Sequence, residues 1–366
     1  MTNAQPGATL AATALPTTMP AVIFRGEGVL SLEERPVPAI TAPDDIVIKV
    51  GAVGICGSDL HALHTPPTHP GLPGVIFGHE FCGEIVATGP EARGLAVGDR
   101  VAVDQNPPCG RCGPCRDGNG NFCEPLFDNP HLDIPWPNTP GFFWDGGMAE
   151  YVKVPSYFAY RVGADVPWEH LVLAEPLGCV LNGIGKAGVA VGDRAVVLGG
   201  GPMGLLTVIA LKHFGVEQVI LVEPAVKRAE VARQAGADLV INPAAAGVRE
   251  EVLAATGGRG ATVVVEAVGN QLDTAVGVAA DRARIVVLGI NNSYRANLSA
   301  MTVTIKELRI LGSFLMRYTM RESLDLIQSG ELPLERVVSH VLPLSEVHHG
   351  ISLARAGEGL KIVFKP

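Results

Sequence analysis

Three glycines spaced as Gly199-x-Gly201-x-x-Gly204 constrain the fold of this chain more than any other feature. They follow the β-branched run Arg194–Leu198 and open a segment with helical character. A glycine turn between a strand and a helix lets the backbone approach a pyrophosphate, which the free N–H groups and the positive dipole end of the helix attract. The context therefore predicts a βαβ unit that binds a dinucleotide.

Further β-branched runs recur at regular intervals around this fingerprint, separated by helix-like segments. Alternating strands and helices predict a doubly wound α/β domain with a parallel sheet. The expected strands are Arg194–Leu198, Gln218–Val222, Leu239–Ile241, Ala261–Glu266, Arg284–Leu288 and Arg309–Gly312.

The first part of the chain has a different texture. Short apolar runs such as Asp45–Val53, Phe81–Thr88 and Arg100–Val103 are separated by Gly and Pro turns. This spacing is typical of an all-β barrel or sandwich, and 366 residues are enough for about two domains. The tail, with a helical Met320–Gln328 and a strand-like Lys361–Phe364, is expected to return to the first domain.

Charge and composition exclude several classes of partner. The formal net charge is -9, so the overall charge of the protein does not attract nucleic acid or an anionic membrane surface. The apolar run from 195 to 211 contains Leu198-Gly-Gly-Gly-Pro-Met-Gly204, which would break a lipid-exposed helix, and no membrane span is predicted. Residues 1–20 contain no Lys or Arg, unlike a signal peptide, and are interpreted as a disordered leader.

Glu223, about twenty residues beyond the fingerprint, bears on the choice of cofactor. Its carboxylate would accept hydrogen bonds from the ribose hydroxyls and repel a 2′-phosphate, which favours NAD over NADP. Lys227 and Arg228 just downstream could neutralise a phosphate, so NADP stays an alternative. Other residues expected at the cofactor are Pro202, Met203, Leu288, Gly289 and Ile290.

Four of the seven cysteines crowd into one Gly- and Pro-rich loop, at Cys109, Cys112, Cys115 and Cys123. Four thiolates in a flexible loop suit a tetrahedral zinc ion whose role is structural, with an iron–sulfur cluster as the lesser alternative. So few cysteines in a long chain, clustered as metal ligands, indicate a reducing compartment, the cytoplasm.

A second, dispersed set offers mixed ligands. It comprises Cys56-Gly-Ser58-Asp59-Leu-His61, then His79-Glu80, then Glu175. A thiolate, an imidazole and a carboxylate leave an open position of the kind that a catalytic zinc needs. By spacing alone, His61 could equally be a surface histidine and Asp59 an ordinary turn residue, while Cys82 and Cys179 are interpreted as small core residues.

Taken together, these motifs resemble a zinc-dependent medium-chain dehydrogenase, nearest the sorbitol and threonine dehydrogenase branch. The resemblance extends from Ala21 to the C-terminus and rests on the order of the motifs, including Gly98-Asp-Arg-Val101, Gly146-Gly147 and Glu175-Pro176. It implies a mainly-β GroES-like catalytic domain, over residues 21–178 and 316–366, and a Rossmann domain over residues 179–315. Ethanol-type relatives carry a third cysteine ligand where this chain has Glu175, which indicates the polyol branch.

The resemblance also implies roles for particular residues. Cys56, His79 and Glu80 would bind the catalytic zinc, with Glu175 as a ligand or as a partner of the bound water. Ser58 and His61 would pass the hydroxyl proton to solvent while the hydride moves from the carbinol carbon to NAD. One departure is the segment from 124 to 145, which is longer than usual in the family and rich in Pro and aromatic residues. It is expected at the rim of the substrate cleft, or else as a packed surface loop or an oligomer contact.

The predicted function is thus reversible oxidation of a polyol, sugar or cyclitol by NAD, with two zinc ions per chain. A threonine-like amino alcohol is the alternative substrate, and a non-catalytic protein that binds zinc and a nucleotide is the alternative class. A homotetramer or homodimer is also expected, with the strand at Arg284–Ile290 extending the sheet across a two-fold axis.

Overall fold

The computed structural model describes residues 15–92, 94–130, 132, 136–245 and 247–366. Most of the expected leader, and residues 131 and 133–135 of the long aromatic segment, lie outside them. The described strands are β1 (Thr18–Gly26), β2 (Val29–Pro36), β3 (Asp45–Gly54), β4 (Glu80–Thr88), β5 (Arg100–Val103), β6 (Tyr151–Pro155), β7 (Ala159–Arg161), β8 (Arg194–Leu198), β9 (Gln218–Val222), β10 (Leu239–Ile241), β11 (Ala261–Glu266), β12 (Ala279–Val287), β13 (Arg309–Gly312), β14 (Val338–Pro343) and β15 (Lys361–Lys365).

The α-helices are mostly short outside the second half of the chain. They are α1 (Gly57–Ala62), α2 (Gly113–Arg116), α3 (Glu124–Phe127), α4 (Trp168–Leu171), α5 (Ala174–Ala187), α6 (Pro202–His213), α7 (Val226–Gln234), α8 (Val248–Ala255), α9 (Leu272–Val278), α10 (Ala300–Ile305), α11 (Met320–Ser329) and α12 (Val347–Ala356). None of the described helices is long and apolar enough to cross a membrane.

The nucleotide-type sheet is parallel throughout and has the order β10-β9-β8-β11-β12-β13. From β8 the chain continues to β9 and β10 on one side of that strand. It then crosses back and continues to β11, β12 and β13 on the other side. The crevice beyond the carboxyl ends of β8 and β11 is therefore the switch point at which such sheets bind ligands. The predicted doubly wound fold is confirmed.

The other large sheet combines the front and the tail of the chain, in the order β14-β15-β3-β4-β5-β7, with β6 also paired to β3. Val363 and Phe364 of β15 pair antiparallel with Gly54 and Val53 of β3. The tail thus returns to the first domain, as expected, and its last strand lies beside the strand that leads into Cys56.

Two expectations need correction. The leader was expected to run through Pro20, but β1 begins at Thr18 and pairs with β2, because Met19 and the residues after it bury an apolar face. The strand around Arg284 was expected to form the edge of the sheet, but β12 is paired on both sides, with β11 and β13. The free edge at that end belongs to β13, whose Arg309 and Ile310 are exposed.

Candidate active site

A cavity of about 290 Å³ lies between the two sheets. One side is formed by residues of the β domain, including Cys56, Ser58 and His79, and the other by residues of the nucleotide-type domain, including Met203 and Leu288. Of the predicted metal and cofactor residues, three metal-type side chains therefore line one cavity with four cofactor-type residues: Cys56, His79 and Glu175 with Met203, Leu288, Gly289 and Ile290.

Cys56, His79 and Glu80 bring their ligand atoms within 4.8 Å of one another. Cys56 precedes α1, where Asp59 Oδ2 accepts its backbone N–H at 2.8 Å and fixes the turn. Glu80 is the first residue of β4 and pairs with Gly54 across the sheet, and His79 directly precedes it. The junctions of a strand with a loop therefore hold all three side chains at one point.

A buried lysine completes the surroundings of Glu80. Lys361 of β15, only 2% exposed, donates from Nζ to Glu80 Oε2 at 2.6 Å and to the Ile55 carbonyl at 3.1 Å. Burial lowers the pKa of Lys361, but the charges of Glu80 and Cys56 outweigh burial and raise it, so the lysine stays charged. Glu80 Oε1 is buried and has no hydrogen-bond partner among the described residues. A cation shared with Cys56 and His79 would satisfy this oxygen, so the set fits zinc.

Asp59 orients His79 electrostatically. Its Oδ1 lies 3.1 Å from His79 Nδ1, at ion-pair distance without an aligned hydrogen bond. Burial lowers the pKa of His79, but the Asp59 carboxylate more than offsets this and raises the pKa well above its usual value. His79 Nε2 faces Ser58 Oγ at 3.4 Å on the cavity side. A carboxylate beside the other ring nitrogen is the usual arrangement of a histidine that binds a metal.

Glu175 lies on the cavity wall outside this group of three. It is buried in the first turn of α5 and accepts a hydrogen bond from Cys179 Sγ at 3.1 Å. Burial and the neighbouring Glu80 charge raise its pKa. Its role as a direct ligand stays a prediction. Cys179 belongs to the buried core, as expected, and also lines the cavity.

Two further histidines on the cavity wall are held neutral. Burial, with the nearby His64 charge, lowers the pKa of His61, whose Nδ1 contacts Thr68 Oγ1 at 2.8 Å. Burial lowers the pKa of His69 to about 4, and its ring packs against Phe142. Neither ring therefore carries a positive charge toward the cavity near neutral pH.

The three fingerprint glycines meet different steric needs. Gly199 adopts φ +98°, which only glycine tolerates easily, and a Cβ on Gly204 would stand 1.8 Å from the Gly199 carbonyl oxygen. A Cβ added to Gly201 would have Arg228 Nη1, at 3.9 Å, as its nearest neighbouring atom. The turn therefore packs α6 tightly on β8 and leaves open space at the α6 N-terminus, where a pyrophosphate fits.

Glu223, at the end of β9, faces this turn. Its Oε2 accepts the Gly200 N–H at 2.7 Å and its Oε1 accepts the Ala225 N–H at 2.8 Å. The Arg228 guanidinium approaches the same turn and donates to the Gly359 carbonyl at 3.3 Å. Farther along, Leu288, Gly289 and Ile290 line the cavity, as predicted for cofactor residues.

The four-cysteine loop forms a second metal-type cluster away from the cavity. The sulfurs of Cys109, Cys112, Cys115 and Cys123 lie within 4.8 Å of one another. Backbone N–H donors at 111 and 112 lower the pKa of Cys109 to about 6, whereas burial raises the pKa of Cys123 to about 12, so a cation would be needed to ionise all four. The loop also reaches the cavity, because Asn121 Nδ2 donates at 2.9 Å to the carbonyl of Phe314, a cavity residue.

The described part of the long aromatic segment lines the cavity and packs against the β domain. Trp136 and Phe142 line the cavity, while Phe143 is buried in the core of the β domain. Trp144 donates from Nε1 to the Asn138 carbonyl at 3.1 Å and packs on Phe158. The segment is therefore a packed loop that also forms part of the cavity wall.

Comparisons with known proteins agree with this architecture. Residues 42–167 match the alcohol dehydrogenase GroES-like domain and residues 202–329 match the zinc-binding dehydrogenase family. An erythritol/L-threitol dehydrogenase of Mycolicibacterium smegmatis is 33% identical over 96% of this chain and 99% of its own. A scyllo-inosose 3-dehydrogenase of Thermotoga maritima is 40% identical over 65% of this chain and 63% of its own.

A solved structure described as a zinc-binding dehydrogenase of Sinorhizobium meliloti, with NADP bound, superposes with a TM-score of 0.87 at 33% identity, covering 96% of this chain and 100% of that one. The fold and the site define a zinc-binding, nicotinamide-dependent oxidoreductase acting on alcohols. The chain belongs to the zinc-dependent medium-chain alcohol dehydrogenase family, in its sorbitol dehydrogenase-like branch.

Sequence reasoning missed several residues of the site. Lys361 belongs to no recognisable sequence motif, and the residues around it in the sequence do not indicate a contact with Glu80. Gln105 and Asn106, which line the cavity, are unremarkable polar residues after a strand. Asp59 was detectable, because an acidic residue three positions after Cys56 at a helix start is a capping signal.

Proposed function

We propose that this protein is an NAD-dependent, zinc-dependent dehydrogenase that interconverts a polyol, sugar or cyclitol with the corresponding ketone. The observation that carries the proposal is the single cleft in which an incomplete Cys56–His79–Glu80 ligand set and the nicotinamide-side residues face one cavity. Relatives named as erythritol/L-threitol and scyllo-inosose dehydrogenases support the substrate class.

The charge of the cavity favours a neutral substrate over an amino acid. Among the described residues, no lysine or arginine lines the cavity. A carboxylate substrate such as threonine would lose its hydration there without a lysine or arginine side chain to pair with. A polyol needs only hydrogen-bonding groups, which Ser58, Gln105, Asn106 and Thr139 offer.

Two metal ions have different expected tasks. Cys109, Cys112, Cys115 and Cys123 would hold one zinc with no free position, which orders their loop. Cys56, His79 and Glu80 would hold the other, with Glu175 beside them. When bound, that zinc polarises a substrate oxygen, and the nicotinamide accepts the hydride.

The protein's own groups would handle the proton. Ser58 Oγ lies beside the metal ligand His79. It can accept the proton of the substrate hydroxyl while it donates the proton of its own hydroxyl to the next group. His61, neutral and exposed at the cavity mouth, can take that proton and release it to solvent. Lys361 would hold Glu80 in place through the hydrogen bond to Oε2, which leaves Oε1 for the metal.

Cofactor choice rests on Glu223 and Arg228. The S. meliloti relative holds NADP, so the preference of this chain must come from its own residues. Glu223 is pinned by two backbone N–H groups at the glycine turn and would oppose a 2′-phosphate, which supports NAD.

A homodimer or homotetramer is also proposed. The outer edge of β13, which has no neighbouring strand among the described residues and carries the exposed Ile310, is suited to extend the sheet across a two-fold axis.

A turnover screen with metal analysis tests the proposal. Polyols, cyclitols, simple secondary alcohols and threonine are offered with NAD and with NADP, and zinc is quantified in protein purified without added metal. We expect two zinc ions per chain and NAD-linked turnover of a polyol. Turnover of threonine alone would assign the amino-alcohol alternative, and bound zinc and nucleotide without turnover of any alcohol would assign the non-catalytic one.

A further inference from the structure

The end of β5 supplies a polar surface to the cavity that the reaction itself does not use. Gln105 and Asn106 follow this strand and line the cavity, although they are only 2% and 7% exposed. Gln105 Oε1 is buried and has no hydrogen-bond partner among the described residues. Buried polar atoms of proteins are almost always paired, so this oxygen is suited to a donor supplied by a ligand.

Asn106 is held in a fixed orientation beside it. Its backbone N–H donates to Asp104 Oδ1 at 2.9 Å, and its side-chain Oδ1 accepts from Thr139 Oγ1 at 2.8 Å. With the amide oxygen engaged, the amide nitrogen is left as the group that can donate. The surface thus combines an acceptor at Gln105 with a donor at Asn106, and a hydroxyl group can satisfy both types of partner.

Aromatic side chains line the same cavity. Trp136 contacts the His69 ring edge-on, with centroids 5.1 Å apart, and Phe142 packs on His69 at 4.2 Å. A saturated ring that carries several hydroxyls has apolar C–H faces and a polar rim, so it can contact aromatic carbons and hydrogen-bonding groups together. A flexible open-chain polyol has no continuous apolar face and loses more conformational freedom when it binds.

We propose that Gln105 and Asn106 recognise hydroxyl groups next to the reacting carbinol, and that together with Trp136 and Phe142 they select a ring-shaped polyol, either a cyclitol or a sugar. Thr139 acts as a positioning residue, because it fixes the Asn106 amide. The inference rests on the proposed function and narrows its substrate class.

The test uses a graded set of substrates with the wild type and one variant. Initial rates with NAD are measured for cyclohexanol, trans-1,2-cyclohexanediol, myo-inositol and sorbitol, in wild type and in Gln105→Leu. We expect myo-inositol to have the highest kcat/KM in the wild type. Gln105→Leu should lower kcat/KM for the diol and for myo-inositol by about 10- to 100-fold, and for cyclohexanol by less than about 3-fold.

The role of Thr139 is tested by a matched pair. Thr139→Val removes the hydroxyl that holds Asn106 and keeps the shape of the side chain, whereas Thr139→Ser keeps the hydroxyl. We expect Thr139→Val to raise KM for myo-inositol more than it lowers kcat, and Thr139→Ser to restore KM. Calorimetric titration of each protein with myo-inositol should show the same order of affinities.

The outcomes separate the inference from the function on which it rests. If the wild type oxidises polyols and Gln105→Leu keeps the same preference, or loses cyclohexanol and myo-inositol activity equally, the inference is wrong and the proposed function stands. A wild-type preference for sorbitol overturns selection for a ring. Turnover of cyclohexanol with no turnover of any polyol overturns the proposed function as well.

Discussion

Glu223→Gln isolates the charge that is expected to set the cofactor preference. Both oxygens of Glu223 accept backbone N–H groups at 2.7 and 2.8 Å, so the carboxylate cannot swing away from the glycine turn. Glutamine keeps the size of the side chain and one acceptor oxygen while it removes the charge. The variant therefore tests repulsion of the 2′-phosphate rather than loss of shape.

The expected size of the effect follows from Coulomb's law. Two unit charges about 5 Å apart at an effective dielectric constant of about 20 repel by roughly 3 kcal/mol. Arg228, beside the same turn, offsets part of this. We therefore expect the wild type to favour NAD by at least about tenfold, or roughly 1.4 kcal/mol, and Glu223→Gln to move the ratio toward NADP by about 10- to 100-fold.

The assay is kcat/KM for NAD and for NADP in each protein. Glutamine leaves one backbone N–H unpaired, which costs about 1–3 kcal/mol of stability, but this loss affects both cofactors and cancels in the ratio. Arg228→Leu is the control, and it should shift the ratio further toward NAD. The reasoning is refuted if the wild type prefers NADP or if the ratio is unchanged in Glu223→Gln.

Three further predictions address the metals, the pH dependence of stability and assembly. Cys112→Ser should lose one zinc equivalent and lower Tm by several degrees, whereas Cys56→Ser should abolish turnover while Tm stays near that of the wild type. Equal losses of Tm in the two variants, measured by calorimetry, would contradict this division of roles between the two metal sites. Burial raises the pKa of Asp104 to about 7. Between pH 4 and 7 the folded state therefore binds more protons than the unfolded state. In this range Asp104 lowers the free energy of unfolding as pH rises, by up to about 1.4 kcal/mol per pH unit. Asp104→Asn should therefore raise Tm at pH 8 and flatten its dependence between pH 5 and 7, and an unchanged Tm–pH curve would refute the assignment. Ile310→Lys should reduce the mass measured by light scattering, and a mass equal to that of the wild type would exclude the β13 edge as the interface.

The sequence predicted the nucleotide-type domain because its signals are local. Each strand from β8 to β11 is a short β-branched run bounded by turns, and its bounds follow from composition alone. The glycine turn has steric demands that only glycine meets, so its position is readable as well. The four-cysteine loop was recognised for the same reason, whereas the dispersed set of Cys56, His79 and Glu80 was assigned from the resemblance to a family.

The features that the sequence did not predict depend on contacts between segments that are far apart in the chain. The position of β13 outside β12 is a property of strand order, which no local pattern encodes. Lys361 is separated from Glu80 by 281 positions and reads as an ordinary basic residue in a strand. Gln105 is informative only because burial leaves its oxygen without a partner, and burial is a tertiary property.

The place of Lys361 in β15 has a consequence for biosynthesis. Cys56, His79 and Glu80 leave the ribosome early, but the strand that pairs with β3 and carries the cation to Glu80 is made some 280 residues later. Until then β3 lacks one sheet neighbour, and closing so long a loop is slow. Until synthesis has passed β15, the proposed zinc ligand Glu80 therefore lacks the Lys361 cation that the finished fold places beside it.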